Sequence, residues 1–151
     1  EVRGPLYDDP NLWLMHGFTY SGHPVACAVA LRNLEIMERE ELIPNSEKVG
    51  AYFKRQLQAF AADKPAIGEV RGRGLMLAIE MVAPAAVPGT DTPLADRLAP
   101  RISRAALAHG LVVRPMPGSD VLTFSPPLNI TEAETDDIIA RLDAAMQDVV
   151  I

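Results

Sequence analysis

Val70-Arg71-Gly72-Arg73-Gly74-Leu75-Met76-Leu77-Ala78-Ile79-Glu80-Met81-Val82 decides the fold class of this 151-residue chain. Glycines break the stretch into two strand segments, and the second is apolar enough to lie centrally in a sheet. Gly72-Arg73-Gly74-Leu75 resembles a dinucleotide loop only superficially, since the third glycine and the following helix are missing. Tight packing of a hairpin explains it better.

Upstream of the hairpin, Cys27, Ala30, Leu31, Leu34 and Met37 recur at helical spacing after Ser21-Gly22-His23-Pro24, with Pro24 suited to a first helical turn. A second helix is predicted after Pro44-Asn45-Ser46, with Val49, Tyr52, Phe53, Leu57 and Phe60 on one face and Asp63-Lys64-Pro65 as its end. Downstream, Pro84 to Pro93 reads as a loop. Leu94, Leu98, Ile102 and Ala105 mark a third helix closed by His109-Gly110. Leu111-Val112-Val113-Arg114 and Val121-Leu122-Thr123-Phe124 read as strands joined through Pro115-Met116-Pro117-Gly118. Thr131-Glu132-Ala133-Glu134 forms a capping box, and Ile138, Leu142, Ala145, Met146 and Val149 complete a final amphipathic helix. The order predicts an α+β domain, a short antiparallel sheet with helices covering one face.

With 48% apolar residues the chain can bury a sizeable core. Fourteen basic against twenty acidic residues give a net charge of −6, and no basic run is present to collect a phosphate backbone, which argues against nucleic-acid binding. The longest uninterrupted apolar run, Val25 to Leu31, is far short of the roughly 20 residues that span a bilayer. A single cysteine, Cys27, lies in an alanine-rich stretch, suits a small core position and a reducing compartment, and points to the cytoplasm. Residues 1 to 20 lack a sustained period and read as a loop or the end of a preceding domain, and Glu1-Val2-Arg3-Gly4-Pro5 resembles neither a signal peptide nor a natural start.

Metal binding is disfavoured, because His16, His23 and His109 have neither cysteine partners nor tight carboxylate spacing. Ser21 and Ser125 lack a nucleophile-elbow context, and Cys27 lies within a helix face. Two places remain. In Met15 to Pro24, hydroxyls and glycine-freed N–H groups collect just before a long helix, where an anion such as phosphate is favoured; alternatively Ser21 simply caps that helix and Thr19 fills a turn. Arg114 ends an apolar strand next to Pro115, where it either forms a bidentate pair with a carboxylate or stands as an ordinary surface arginine.

His16-Gly17-Phe18-Thr19-Tyr20-Ser21-Gly22-His23-Pro24-Val25-Ala26-Cys27-Ala28, with Arg71-Gly72-Arg73-Gly74-Leu75 and Thr123-Phe124-Ser125-Pro126-Pro127-Leu128, closely resembles the C-terminal part of class III pyridoxal-phosphate aminotransferases, and most of all their omega-amino acid:pyruvate branch. The resemblance covers essentially the whole chain. It implies that residues 1–22 end the large domain and carry a cross-subunit phosphate loop, and that 23–151 form the small C-terminal domain, linking helix included, of a fold-type I enzyme. It further implies that Thr19 gives its hydroxyl, and Phe18 or Thr19 a backbone N–H, to the phosphate of pyridoxal phosphate held by the other subunit of a homodimer. Arg114 matches the arginine that swings in to meet a substrate carboxylate and out to admit an uncharged substituent.

In the same resemblance the family's Schiff-base lysine, its pyridine-pairing aspartate and its stacking aromatic lie upstream of Glu1, and none of Lys48, Lys54 and Lys64 stands in the lysine's context. The expected function is transfer of an amino group from an amine or amino acid to a keto acid such as pyruvate by the intact enzyme, the 151 residues alone being inactive. The alternatives are a non-catalytic α+β binding or regulatory module, or another class III enzyme: an aminomutase, a decarboxylase, or an ornithine- or aminobutyrate-type transaminase.

Overall fold

A computed structural model describes residues 16–82 and 97–149. The chain divides into two compact units, Glu1–Ile36 and Met37–Ile151. Pro84 to Pro93 and Leu94, expected in a loop and a helix, lie outside the described residues, as do residues 1–15.

The turn at 16–23 leads into α1, Pro24–Arg39, most of which belongs to the first unit; the helix starts at the proline as its spacing predicts and buries none of its residues. Cys27 is exposed, contrary to its expected core position. Helical spacing fixes which side chains share a stripe, but it does not supply anything to cover that stripe.

The second unit builds on α2, Leu42–Ala61. This helix begins earlier than predicted, because Pro44 falls within its first turn, where a missing N–H costs nothing. Asn45 lies inside the helix, and its side-chain amide donates to the carbonyls of Leu128 at 2.8 Å and Ile130 at 3.0 Å. Next come β1, Ile67–Arg73, and β2, Met76–Met81, the predicted hairpin. Gly72 has φ 133°, and a β-carbon there would lie 2.1 Å from the Met76 carbonyl oxygen, so only glycine fits.

α3, Leu98–Ala108, ends at His109, with Gly110 in the left-handed region at φ 73°. β3 is only Arg114–Pro115, β4 is Val121–Phe124, and α4 is Glu132–Gln147. Leu111 to Val113 therefore does not form the predicted strand. Leu111 and Val113 are buried and Val112 is exposed, an alternation like a strand's, but their backbone does not join the ladder. On the far side the pairing passes Pro115, which has no N–H, and reaches Met116, whose N–H donates to the Val121 carbonyl at 2.9 Å. The capping box is present in full: Thr131 Oγ1 accepts from the Glu134 N–H, and Glu134 accepts from the Thr131 N–H.

The four strands form one antiparallel sheet in the order β1-β2-β4-β3. Leu77, Ile79 and Met81 of β2 point with Leu122 and Phe124 into a core filled by Phe53 and Leu57 of α2, Ile102 of α3 and Leu142 of α4. Phe53 meets Phe124 edge to face at 5.5 Å. The alternate residues of β2, Met76, Ala78 and Glu80, are on the opposite, less covered face.

Candidate functional site

The first candidate lies in the turn before α1. Ser21 closes it twice: its N–H donates to the Phe18 carbonyl, and its Oγ accepts from the Phe18 N–H, both at 2.9 Å. Ser21 is thus a turn residue and not the helix cap. His23 serves α1 instead, its carbonyl accepting from Cys27 at 3.0 Å and its Nδ1 facing the Ala26 N–H at 3.5 Å. Gly22, at φ 74°, makes the bend between turn and helix.

This closure divides the two expected phosphate donors. The Phe18 N–H is already engaged by Ser21, whereas the N–H and hydroxyl of Thr19 have no hydrogen-bond partner among the described residues. Thr19 and Gly17 are exposed, and a β-carbon built on Gly17 would meet nothing within 4 Å. Among the described residues Thr19 therefore keeps two uncommitted donors just ahead of α1, an arrangement suited to an anion.

The second candidate belongs to the other unit. Arg114 is exposed on the edge strand β3, opposite Thr123 of β4. Register places Arg71, Ala78, Thr123 and Arg114 in one row across the sheet, on the face away from the core. The two arginines differ. Arg71 pairs with Glu69 and Glu80, and those hydrogen bonds, Glu80's foremost, raise its pKa still further. The Arg114 guanidinium makes no ion pair or hydrogen bond among the described residues, so it is free to accept a carboxylate from outside.

Three further residues support this region and were not read from the sequence. Asp120, in the loop before β4, accepts from the Leu98 N–H at 2.9 Å and the Ala99 N–H at 2.6 Å, capping α3 from 22 residues away. Ser103 Oγ donates to the Val113 carbonyl at 2.7 Å. Asn45 holds the Pro-Pro-Leu segment through Leu128. Gly-Ser-Asp before a strand resembles ordinary turn chemistry, so the sequence carries no sign of a distant helix needing Asp120.

None of the lysines is set as a buried nucleophile. Lys54 donates to the Gly72 carbonyl at 3.1 Å, Lys64 pairs with Asp143 at 2.9 Å, and Lys48 is exposed. Among the described residues no group of three or more His, Cys, Asp or Glu could hold a metal ion. Nor is any described helix long and apolar enough to cross a membrane.

Sheet, helices and glycine hairpin coincide with part of known fold-type I aminotransferases. A thermostable (S)-enantioselective omega-transaminase from Thermomicrobium roseum superposes with a TM-score of 0.79 at 43% identity, over 93% of this chain and 31% of that one. An amine transaminase from an uncultivated Pseudomonas species, solved in its PLP-bound form, gives 0.78 at 40% identity, over 90% and 30%. A diaminobutyrate–2-oxoglutarate transaminase of Halomonas elongata is 47% identical over 135 residues, 89% of this chain and 28% of the relative. Residues 7–146 match the family Aminotransferase class-III, and the chain belongs to that family. It spans less than a third of the length of these relatives.

Proposed function

We propose that these residues serve a longer class III aminotransferase as the segment that anchors the cofactor's phosphate and selects the substrate's carboxylate. The intact enzyme moves an amino group from an amine or amino acid to a keto acid such as pyruvate. In this reading residues 1–22 close the large domain and carry the phosphate loop, 23–151 form the small C-terminal domain, and the protein works in the cytoplasm as a homodimer whose subunits share their sites.

The observation that carries the reading is the family match over residues 7–146, which takes in both the Thr19 turn and Arg114. The residues present suit the phosphate end of pyridoxal phosphate, because Thr19 has an N–H and a hydroxyl uncommitted among the described residues. Bound there, the cofactor supplies the electron sink for amino transfer. Thr19 holds and orients the phosphate for the partner subunit, while Arg114 pairs with a substrate carboxylate and moves aside for an uncharged substituent, since a fixed arginine cannot satisfy both a charged and an apolar group. The family's catalytic lysine is not one of the chain's three, so the 151 residues alone are inactive in this proposal.

The Halomonas relative's name supports a second reading of the acceptor, 2-oxoglutarate in place of pyruvate. Either acceptor offers Arg114 a carboxylate.

The test is amino transfer by the full-length protein loaded with pyridoxal phosphate, using alanine and a carboxylate-free amine as donors and each keto acid as acceptor. Arg114→Ala is expected to raise KM for carboxylated substrates by a factor on the order of ten to a hundred, or about 1.5 to 3 kcal/mol, with much smaller changes for the amine. Absence of any amino transfer would overturn the proposed activity. Equal losses for both donors, at an unchanged melting temperature, would remove Arg114 from carboxylate recognition.

A further inference from the structure

Ser103 lies in the middle of α3, where a serine hydroxyl ordinarily bonds back to its own helix or faces water. Here it donates to the Val113 carbonyl at 2.7 Å, one residue before Arg114. Val113 is 5% exposed, so its backbone has little access to water as a substitute partner. The next carbonyl along, that of Arg114 itself, accepts from Thr123 Oγ1 at 3.2 Å. Two side-chain hydroxyls thus grip consecutive carbonyls at the point where the arginine leaves the backbone.

The reason for such a grip is visible in β3. That strand has two residues, and the second is Pro115, which cannot donate to the ladder. Beyond Pro115 one more backbone bond follows, from the Met116 N–H to the Val121 carbonyl at 2.9 Å. Leu111 to Val113, however, make no ladder pair, so on that side of Arg114 the hydroxyls supply what ladder bonds supply in a longer strand. α3 is itself held against the β3–β4 loop, because Asp120 binds its first two N–H groups. Ser103 is therefore a fixed post and not a drifting side chain.

We infer that Ser103, seconded by Thr123, is a positioning residue for Arg114 and sets how well the enzyme binds carboxylated substrates. The inference rests on the proposed role of Arg114. A mobile arginine needs a stationary base, since a displacement on the order of 1 Å at the root of a long side chain spoils a bidentate contact at its tip.

The experiment uses the full-length enzyme with its cofactor and compares KM and kcat for alanine with those for a carboxylate-free amine. Ser103→Ala should raise KM for alanine about three- to tenfold, the equivalent of one hydrogen bond, with kcat and the amine's constants within about twofold. Ser103→Thr, which keeps the hydroxyl, should restore most of the loss, and Thr123→Val should reproduce part of it. In an Arg114→Ala background, Ser103→Ala should add nothing further for alanine, because its effect passes through the arginine.

If Ser103→Ala lowers performance with both donors alike, or its effect persists without Arg114, the positioning role is overturned while the function of Arg114 stands. If Arg114→Ala itself fails to separate alanine from the amine, the proposed carboxylate site falls and Ser103 falls with it. Should Ser103→Ala not fold, the Thr123→Val comparison in the presence and absence of Arg114 decides the matter by the same criteria.

Discussion

Gly50 of α2 and Gly74 of the hairpin turn touch through their backbones: a β-carbon added to Gly50 would lie 2.2 Å from the Gly74 carbonyl carbon. Replacing an ordinary helical glycine by alanine stabilises by roughly 1 kcal/mol. At Gly50 the sign reverses, because backbone cannot swing away as a side-chain tip can. Gly50→Ala is expected to destabilise by about 1 to 3 kcal/mol, the scale of overpacking a core. Urea denaturation of the parent and the variant checks this, and a higher midpoint for the variant would contradict the contact.

Asp120→Ala should cost about 1 to 2 kcal/mol, since it strips the acceptor from both the Leu98 and Ala99 N–H groups at the start of α3. The N-cap residue itself, Arg97, makes no side-chain cap bond. Hydrogen exchange should speed up first at those two amides. Unchanged protection there would mean the cap does not hold in solution.

The capping box predicts a pH dependence. Hydrogen bonds from the Thr131 backbone N–H, and then from its hydroxyl, pull the Glu134 carboxyl below its ordinary 4.5. A carboxyl depressed in the folded state adds stability above the unfolded value, and that contribution is lost as pH falls through the lower folded value. Glu134→Gln should therefore flatten the acid side of the stability curve below about 4.5 while leaving the neutral-to-alkaline slope alone. Parallel curves for parent and variant would refute it.

Thr19→Ala in the full-length enzyme should weaken retention of pyridoxal phosphate by about 1 to 2 kcal/mol, as expected for one charge-assisted hydrogen bond. Mixed dimers, with Thr19→Ala in one subunit and the catalytic lysine removed from the other, reveal whose site is damaged. Cofactor affinity that is unaltered in every combination would take Thr19 out of the site.

What was legible in the sequence is local. Thr131 and Glu134 are three residues apart and find each other within one helical turn, so the box reads directly. Gly72 and Gly74 read as a hairpin because the turn they permit is made by their own neighbours. Asp120 and Ser103 were illegible for the opposite reason: their partners lie 10 to 22 residues away and are backbone atoms, which carry no residue-specific mark. At the turn before α1 the sequence left Phe18 and Thr19 equivalent as amide donors, and only the folded position of Ser21 Oγ separates them. Leu111 to Val113 has a strand's alternation without a strand's bonds, since burial and pairing are different requirements that the same pattern meets.

The sheet has two edges, and each is blunted against templating by another chain. On one side β1 carries a register shift between Ile67 and Glu69, the charges of Glu69 and Arg71, and Lys54 seated on the Gly72 carbonyl. On the other, β3 is too short to recruit a neighbour and Pro115 denies it a donor. Bulges, charges, proline and brevity are the means by which folded proteins avoid edge-to-edge aggregation. The feature that gives Arg114 so little ladder to stand on thus also keeps the sheet from growing into a fibril.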